Sequence, residues 1–291
     1  MPPRYTLTDS SNRLFCKMSV VIPTVTARTI LREIPTTGHS PIKMLCDDSE
    51  VYIVKTTKGG VGPTDYEIVS EFLCSVLLEL WNLNRPDFAG VVVPEQLITE
   101  GNLSNRHHPS FYRGRICFGS LIVKNAREVS ILTDDDSLWS ISLLNQPIDY
   151  LKIGLFDLWV CNDDRKPSNP NLLMVPDGKG FDLFAMDHAY TFGTLPYGDL
   201  RPQLQVSWNE SILFSEQAIR IAGENHEAVA SLSTYFYQCV ERCKQSFPGI
   251  LQGIEECLNL NIPEKAYLEQ FLFDKTRIDS TFAGFLERLA S

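Results

Sequence analysis

The run Asp163-Asp164-Arg165-Lys166-Pro167-Ser168-Asn169 sets a carboxylate and a carboxamide five residues apart, and eighteen residues beyond Asn169 stands Asp187, in Met186-Asp187-His188-Ala189. Phosphoryl transfer calls for this set: an acid that takes or orients the proton of a substrate hydroxyl, an Asn and an Asp that hold magnesium on the phosphates, and a Lys that grips the nucleotide. Lys55 supplies the cation, at the end of a predicted strand and followed by a predicted helix bearing Glu67 and Glu71. Asp and Asn also favour ordinary turns for local hydrogen-bonding reasons. The order Lys55, Asp164, Asn169, Asp187 is what separates the catalytic reading from the turn reading.

Around these residues the chain has 291 residues, 44% of them apolar and 21% charged, enough apolar material for a substantial core and for one large or two modest domains. Its 26 basic and 36 acidic residues leave a formal charge of −10. That argues against a coat on duplex nucleic acid, which needs clustered Lys and Arg. An anionic ligand is then received by local basic residues or a metal. Eight cysteines contain no CxxC pair, so zinc-ribbon and thioredoxin-type readings fail, and small buried hydrophobes in a reducing compartment are expected. MPPRYTLTDSSNRLF lacks an apolar signal core, and no run approaches the ~18 apolar residues of a membrane span. The expectation is a soluble, cytoplasmic protein.

The elements that must position the chemistry follow from changes in period. The β-branched stretch Val20 to Ile34 reads as extended, IKMLC and VYIVK flank the polar turn DDSE as a hairpin ending at Lys55, and GVVVPEQLI (90–98) reads as a further strand. Between them, apolar positions 68, 69, 72, 73, 76, 77 and 80 trace a helical stripe from about Asp65 to Leu80. The segment Gly101 to Arg115, rich in Asn, His, Arg and Gly, is the expected seam between domains 1–101 and 102–291. Beyond it, IDYLKIGLFDLWV predicts a helix buried all round, NLLMV-PDGKG-FDLFAM a second hairpin, and the last eighty residues a helical bundle. The plan is α+β: a small β-rich lobe, then a larger helical lobe.

The string D-R-K-P-S-N resembles the catalytic loop of the protein-kinase-like superfamily, whose similar runs are D-L-K-P-x-N in Ser/Thr kinases and D-R-H-x-x-N in the phosphoinositide 3/4-kinase group. Taken with the strand Lys, the helix Glu, Val93-Pro94, Asn-Pro-Asn-Leu-Leu and Asp-His-Ala, the chain is most similar to the HipA-like kinases of bacteria, over residues 27 to 286. The resemblance implies a bilobal protein-kinase-like fold and an ATP- and magnesium-dependent transfer of phosphate to a Ser/Thr hydroxyl of a protein. It implies Asp164 as catalytic base, Asn169 and Asp187 as magnesium ligands, and Lys166 near the transferred phosphate. Lys55 would contact the α- and β-phosphates with Glu67 fixing it and Glu71 as the alternative. Gly38-His39-Ser40 would approach the phosphates, and Leu97 to Gly101, including Ile98 and Glu100, would face adenine. A protein or small-molecule phosphoacceptor and a regulatory partner protein are the implied partners.

Asp164 is preceded by Asn-Asp rather than His-Arg, Asp187 is followed by His-Ala rather than Phe-Gly, no Ala-Pro-Glu follows, and the phosphate loop has one glycine. These departures set the chain apart from eukaryotic protein kinases. The same fold serving as a pseudokinase binding module, or a small-molecule kinase, are the alternative readings. Other candidates fare worse. His107, His108 and His188 lack zinc-ligand spacing, no GxSxG occurs, Thr133 to Ser137 lacks the EF-hand register, and Tyr235 to Tyr237 reads as helix core.

Overall fold

Alternation of buried and half-buried residues along Ile42–Cys46 and Val51–Lys55 marks two strands with one face in a core. In the computed structural model, which describes residues 20–35, 40–56, 65–129, 141–207 and 210–290, these are β2 and β3, preceded by β1 (Thr24–Glu33). Helix α1 (Asp65–Leu80), β4 (Phe88–Val92), α2 (Glu95–Glu100) and β5 (Ile116–Leu121) follow. The five strands close into a barrel in the order β1-β2-β3-β5-β4, with β1 and β4 parallel and the other pairs antiparallel. Its interior is filled by Val25, Ile42, Met44, Val54, Val91 and their neighbours. Phe72 of α1 packs edge-on against Phe88 and Phe118 at ring separations of 5.8 and 5.0 Å, which seats the helix on the sheet.

The remaining elements are β6 (Arg127–Glu128), α3 (Ile148–Val160), β7 (Leu172–Asp177), β8 (Gly180–Ala185), α4 (Glu216–Glu224), α5 (His226–Leu258), α6 (Lys265–Phe273) and α7 (Lys275–Ala290). Strands β6, β7 and β8 form a small antiparallel sheet. Helix α3 is buried from Tyr150 to Val160 apart from Lys152, as its all-round apolar sequence demands. Trp81 stacks on Trp159 at 5.4 Å, and the Trp159 indole donates to the Leu272 carbonyl at 2.9 Å. Gly154 lets Leu213 close on α3, since a Cβ there would stand 2.6 Å from the leucine side chain. Among the described residues no helix is long and apolar enough to cross a membrane.

The chain divides into two compact units, one of Met1–Leu73, Pro86–Ile122 and Ser246–Ile262, the other of Cys74–Arg85, Val123–Gln245 and Pro263–Ser291. The first is β-rich and the second largely helical. The boundary expected at 101/102 therefore moves to Ile122/Val123, because β5 lies between β3 and β4 in the barrel and cannot be separated from it. Two local expectations are also corrected. The strand expected over 90–98 stops at Val92: Pro94 is the N-cap of α2, and Glu95 begins a helix that carries an acidic residue in its first turn. In the C-terminal part, where HEAVASLSTYFYQCVERCKQSF and PGILQGIEECL read as two helical segments parted at Pro248, α5 runs through the proline as one helix of 33 residues.

Candidate active site

In the first unit the barrel and α1 bring together one charged pair. Lys55 ends β3, where it pairs across to Phe118 of β5, and its Nζ lies 2.6 Å from Oε1 of Glu71. Both side chains are buried, Glu71 almost completely. The expectation that Glu67 fixes this lysine is corrected: Glu67 shares the helix face one turn earlier but is half-buried, while Glu71 lies among Ser70, Phe72 and Leu73 in the core. A carboxylate taken that far from water requires a cationic or hydrogen-bonding partner, and the lysine provides it.

Of the expected phosphate-approaching residues, Gly38 and His39 lie outside the described residues. Ser40 is buried, at φ 47°, and its hydroxyl accepts a hydrogen bond from Nη1 of Arg106 at 2.8 Å. Arg106 was not anticipated as a site residue; it belongs to the stretch read as a seam. That stretch is held to β1 by Glu33, which accepts from the Ser104 amide at 2.8 Å and the Ser104 hydroxyl at 2.7 Å and lies 3.3 Å from Nε2 of His107. Burial alone would raise the Glu33 pKa, but the Ser104 hydrogen bonds and His107 hold it below the usual glutamate value. Of the residues expected to face adenine, Ile98 is on α2 and buried in the barrel core, and Glu100 is the exposed last residue of that helix.

In the second unit the loop after α3 folds on itself. Cys161 terminates the helix in the left-handed conformation, φ 53°, and turns the chain so that Asn162 is buried, donating Nδ2 to Oδ1 of Asp157 at 3.0 Å. Lys166 and Asn169 exchange backbone hydrogen bonds of 3.2 and 2.9 Å across a tight turn. Nδ2 of Asn169 donates to the carbonyl of Asp164 at 3.1 Å, and Nδ2 of Asn171 donates to Oδ2 of Asp164 at 3.1 Å. Asp164 is thus oriented by a neutral donor and remains half-exposed. Lys166 meets Oε2 of Glu210 at 2.5 Å, and this hydrogen bond raises its pKa.

The hairpin β7–β8 returns the chain to this loop: the Met186 amide donates to the Asn171 carbonyl at 3.1 Å, and Asp187 follows at φ 59°. The donor chemistry suits magnesium. Asn169 commits its amide nitrogen to the Asp164 carbonyl, so the acceptor its side chain can offer is Oδ1, and Asp187 adds carboxylate oxygen. Among the described residues no three His, Cys, Asp or Glu side chains gather around a common point.

Beneath the loop lies a buried polar group that residue spacing did not reveal. Asp157 and Arg165 form a fully buried pair, Oδ2 to Nε at 2.8 Å, and the arginine extends to His188 Nε2 at 2.8 Å. Burial raises the Asp157 pKa to about 6, against the lowering effects of Arg165 and Asn162. Nε2 of His188 accepts in this contact, so its proton resides on Nδ1. Arg165 stood in the motif, but the sequence carries no local sign of its partners.

The family described as HipA-like kinase matches residues 28–195. Among solved structures, the chain is similar to the Helicobacter pylori proinflammatory kinase CtkA at 14% identity and a TM-score of 0.45, over 91% of this chain and 99% of that one. It is similar to the Golgi casein kinase at 10% identity and a TM-score of 0.49, over 93% and 72% of the two chains. For the Golgi casein kinase with Mn/ADP bound the values are 10%, 0.47, 92% and 73%. No curated protein sequence matches the chain.

Proposed function

Because the chain belongs to the HipA-like kinase family, we propose that it transfers the γ-phosphate of ATP, in a magnesium-dependent reaction, to a serine or threonine hydroxyl of a protein. The observation that carries this reading is the folding of the catalytic loop. Asp164 keeps a half-exposed carboxylate while its own carbonyl turns the Asn169 carboxamide so that oxygen is left for a metal.

In this reaction Asp164 accepts the proton of the acceptor hydroxyl as it attacks phosphorus. Asn169 Oδ1 and Asp187 would hold a magnesium ion, which would supply neutralisation of charge on the phosphate oxygens. Lys55, held by Glu71, contacts the non-transferred phosphates, and Ser40 approaches them from the phosphate loop. Lys166 exchanges Glu210 for the phosphoryl group and offsets the charge that develops in the transition state.

The experiment is incubation of the protein with labelled ATP and magnesium, alone and then with a lysate. Label on a protein supports the reading, and label on small molecules alone replaces the acceptor class. A well-folded sample that labels nothing and whose melting temperature does not respond to ATP with magnesium or manganese removes the kinase reading.

A further inference from the structure

Arg165 is completely buried, and its one planar guanidinium reaches five acceptors. Nε meets Asp157 Oδ2 at 2.8 Å, Nη1 donates to the carbonyls of Pro170 (3.1 Å) and Asn171, and Nη2 donates to the Met186 carbonyl (3.0 Å) and to His188 Nε2 (2.8 Å). These acceptors are not scattered. Pro170 and Asn171 directly follow Asn169, and Met186 and His188 flank Asp187 on either side. Met186 itself lies 21 residues beyond Arg165 in the chain. One rigid fork therefore spans both backbones that carry the oxygen ligands assigned above, and the Asn171 carbonyl it holds also accepts the Met186 amide at 3.1 Å.

Stability does not account for the choice. A buried ion pair is commonly matched or exceeded in stability by apolar residues of similar volume, because desolvating two charges offsets their attraction. What apolar side chains cannot do is fix several carbonyls at set directions. A lysine cannot either, since its three donors radiate from a single atom on a flexible stem. We propose that Arg165 is a positioning residue that sets the separation and orientation of Asn169 and Asp187, so that the two can share one divalent cation on a bound nucleotide. The proposal rests on the kinase reading and adds to it a determinant of metal affinity in a residue that touches neither metal nor substrate.

The test uses the full chain with two alterations: Arg165→Lys, and the double variant Asp157→Leu with Arg165→Met, which exchanges the pair for apolar volume. The readouts are the thermal melt, Mn2+ affinity in the presence of a non-hydrolysable ATP analogue followed by electron paramagnetic resonance, and hydrogen exchange at the Met186 amide. The double variant is expected to melt cooperatively but at a lower temperature than the wild type, because the Asn162 amide and the carbonyls that Arg165 held lose their partners. Both variants are expected to bind Mn2+ at least tenfold more weakly and to exchange faster at Met186, with kcat falling far more than KM rises. Wild-type Mn2+ affinity in either folded variant overturns the proposal. So does loss of the cooperative melt in both, which makes Arg165 a core residue only. If the wild type binds no Mn2+ with nucleotide and transfers no phosphate, it is the kinase reading that fails. Exchange at Met186 then still decides whether Arg165 ties the two segments together.

Discussion

Lys55 and Glu71 stand 2.6 Å apart, nitrogen to oxygen, with 11% and 2% of their side chains exposed. At that burial the pair is worth little as net stabilisation, but removing one partner leaves the other charge desolvated, which typically costs roughly 3–5 kcal/mol. The pair therefore holds the lysine at the end of β3 in one orientation.

If that orientation is the purpose of the pair, Lys55→Met and Glu71→Gln should both shrink the rise in melting temperature produced by magnesium and ATP, which follows the mass action of a ligand that binds only the folded state. Glu67→Gln should shrink it less. A thermal-shift titration of the three variants checks the order, and equal effects at 67 and 71 contradict it.

Asp164→Asn keeps the volume of the side chain and can still present an oxygen to the Asn171 amide, so the loop should remain folded. Loss of a general base lowers rates by about 10²–10⁴. The expected outcome is a fall in kcat of that order with nucleotide affinity nearly unchanged. A parallel loss of ATP binding, measured by calorimetry, would assign this carboxylate to the metal instead.

Asp187 adopts φ 59°, a conformation that Asn tolerates and that costs most other residues about 1–2 kcal/mol. Asp187→Asn is therefore a cleaner test than Asp187→Ala, which combines loss of a ligand with backbone strain. Both should abolish phosphoryl transfer, and Asp187→Asn should do so with the wild-type melting temperature. In that variant ATP should stabilise equally with magnesium and with a chelator; a retained magnesium dependence shows that the metal site lies elsewhere.

The hydrogen bonds from Ser104 to Glu33 make a pH prediction. The Glu33 pKa is lowered in the folded state, so the native protein favours its charged form more than the unfolded chain does. That contribution is present above the ordinary value of 4.5 and is lost as pH falls through the lowered native value. Melting temperatures of wild type and Glu33→Gln should differ near neutrality and converge in acid. A gap that is the same at both ends of the titration means that ionisation of Glu33 plays no part.

Short-range regularity made much of this protein legible from its residues alone. The hairpin that ends in Lys55, the helix from Asp65 to Leu80, the buried helix before Asp164 and the hairpin that ends before Asp187 are each encoded by their own period of apolar residues and their own turn, and all four are present. The loop from Asp164 to Asn169, taken with Lys55, the helix glutamates and Asp187-His188-Ala189 in order, was enough to indicate the family. Tertiary structure decided what depends on residues distant in sequence. Glu67 and Glu71 share a helix face, and only the depth at which α1 sits on the barrel selects the second. Strand β5 belongs with β3 and β4 because of ladders formed across intervening segments. Arg165 could be read as one more basic residue of a loop until the fold surrounded it with Asp157, His188 and three backbone carbonyls. A guanidinium has no preference for those partners in an extended chain; burial, which removes water as the alternative, is what makes them obligatory.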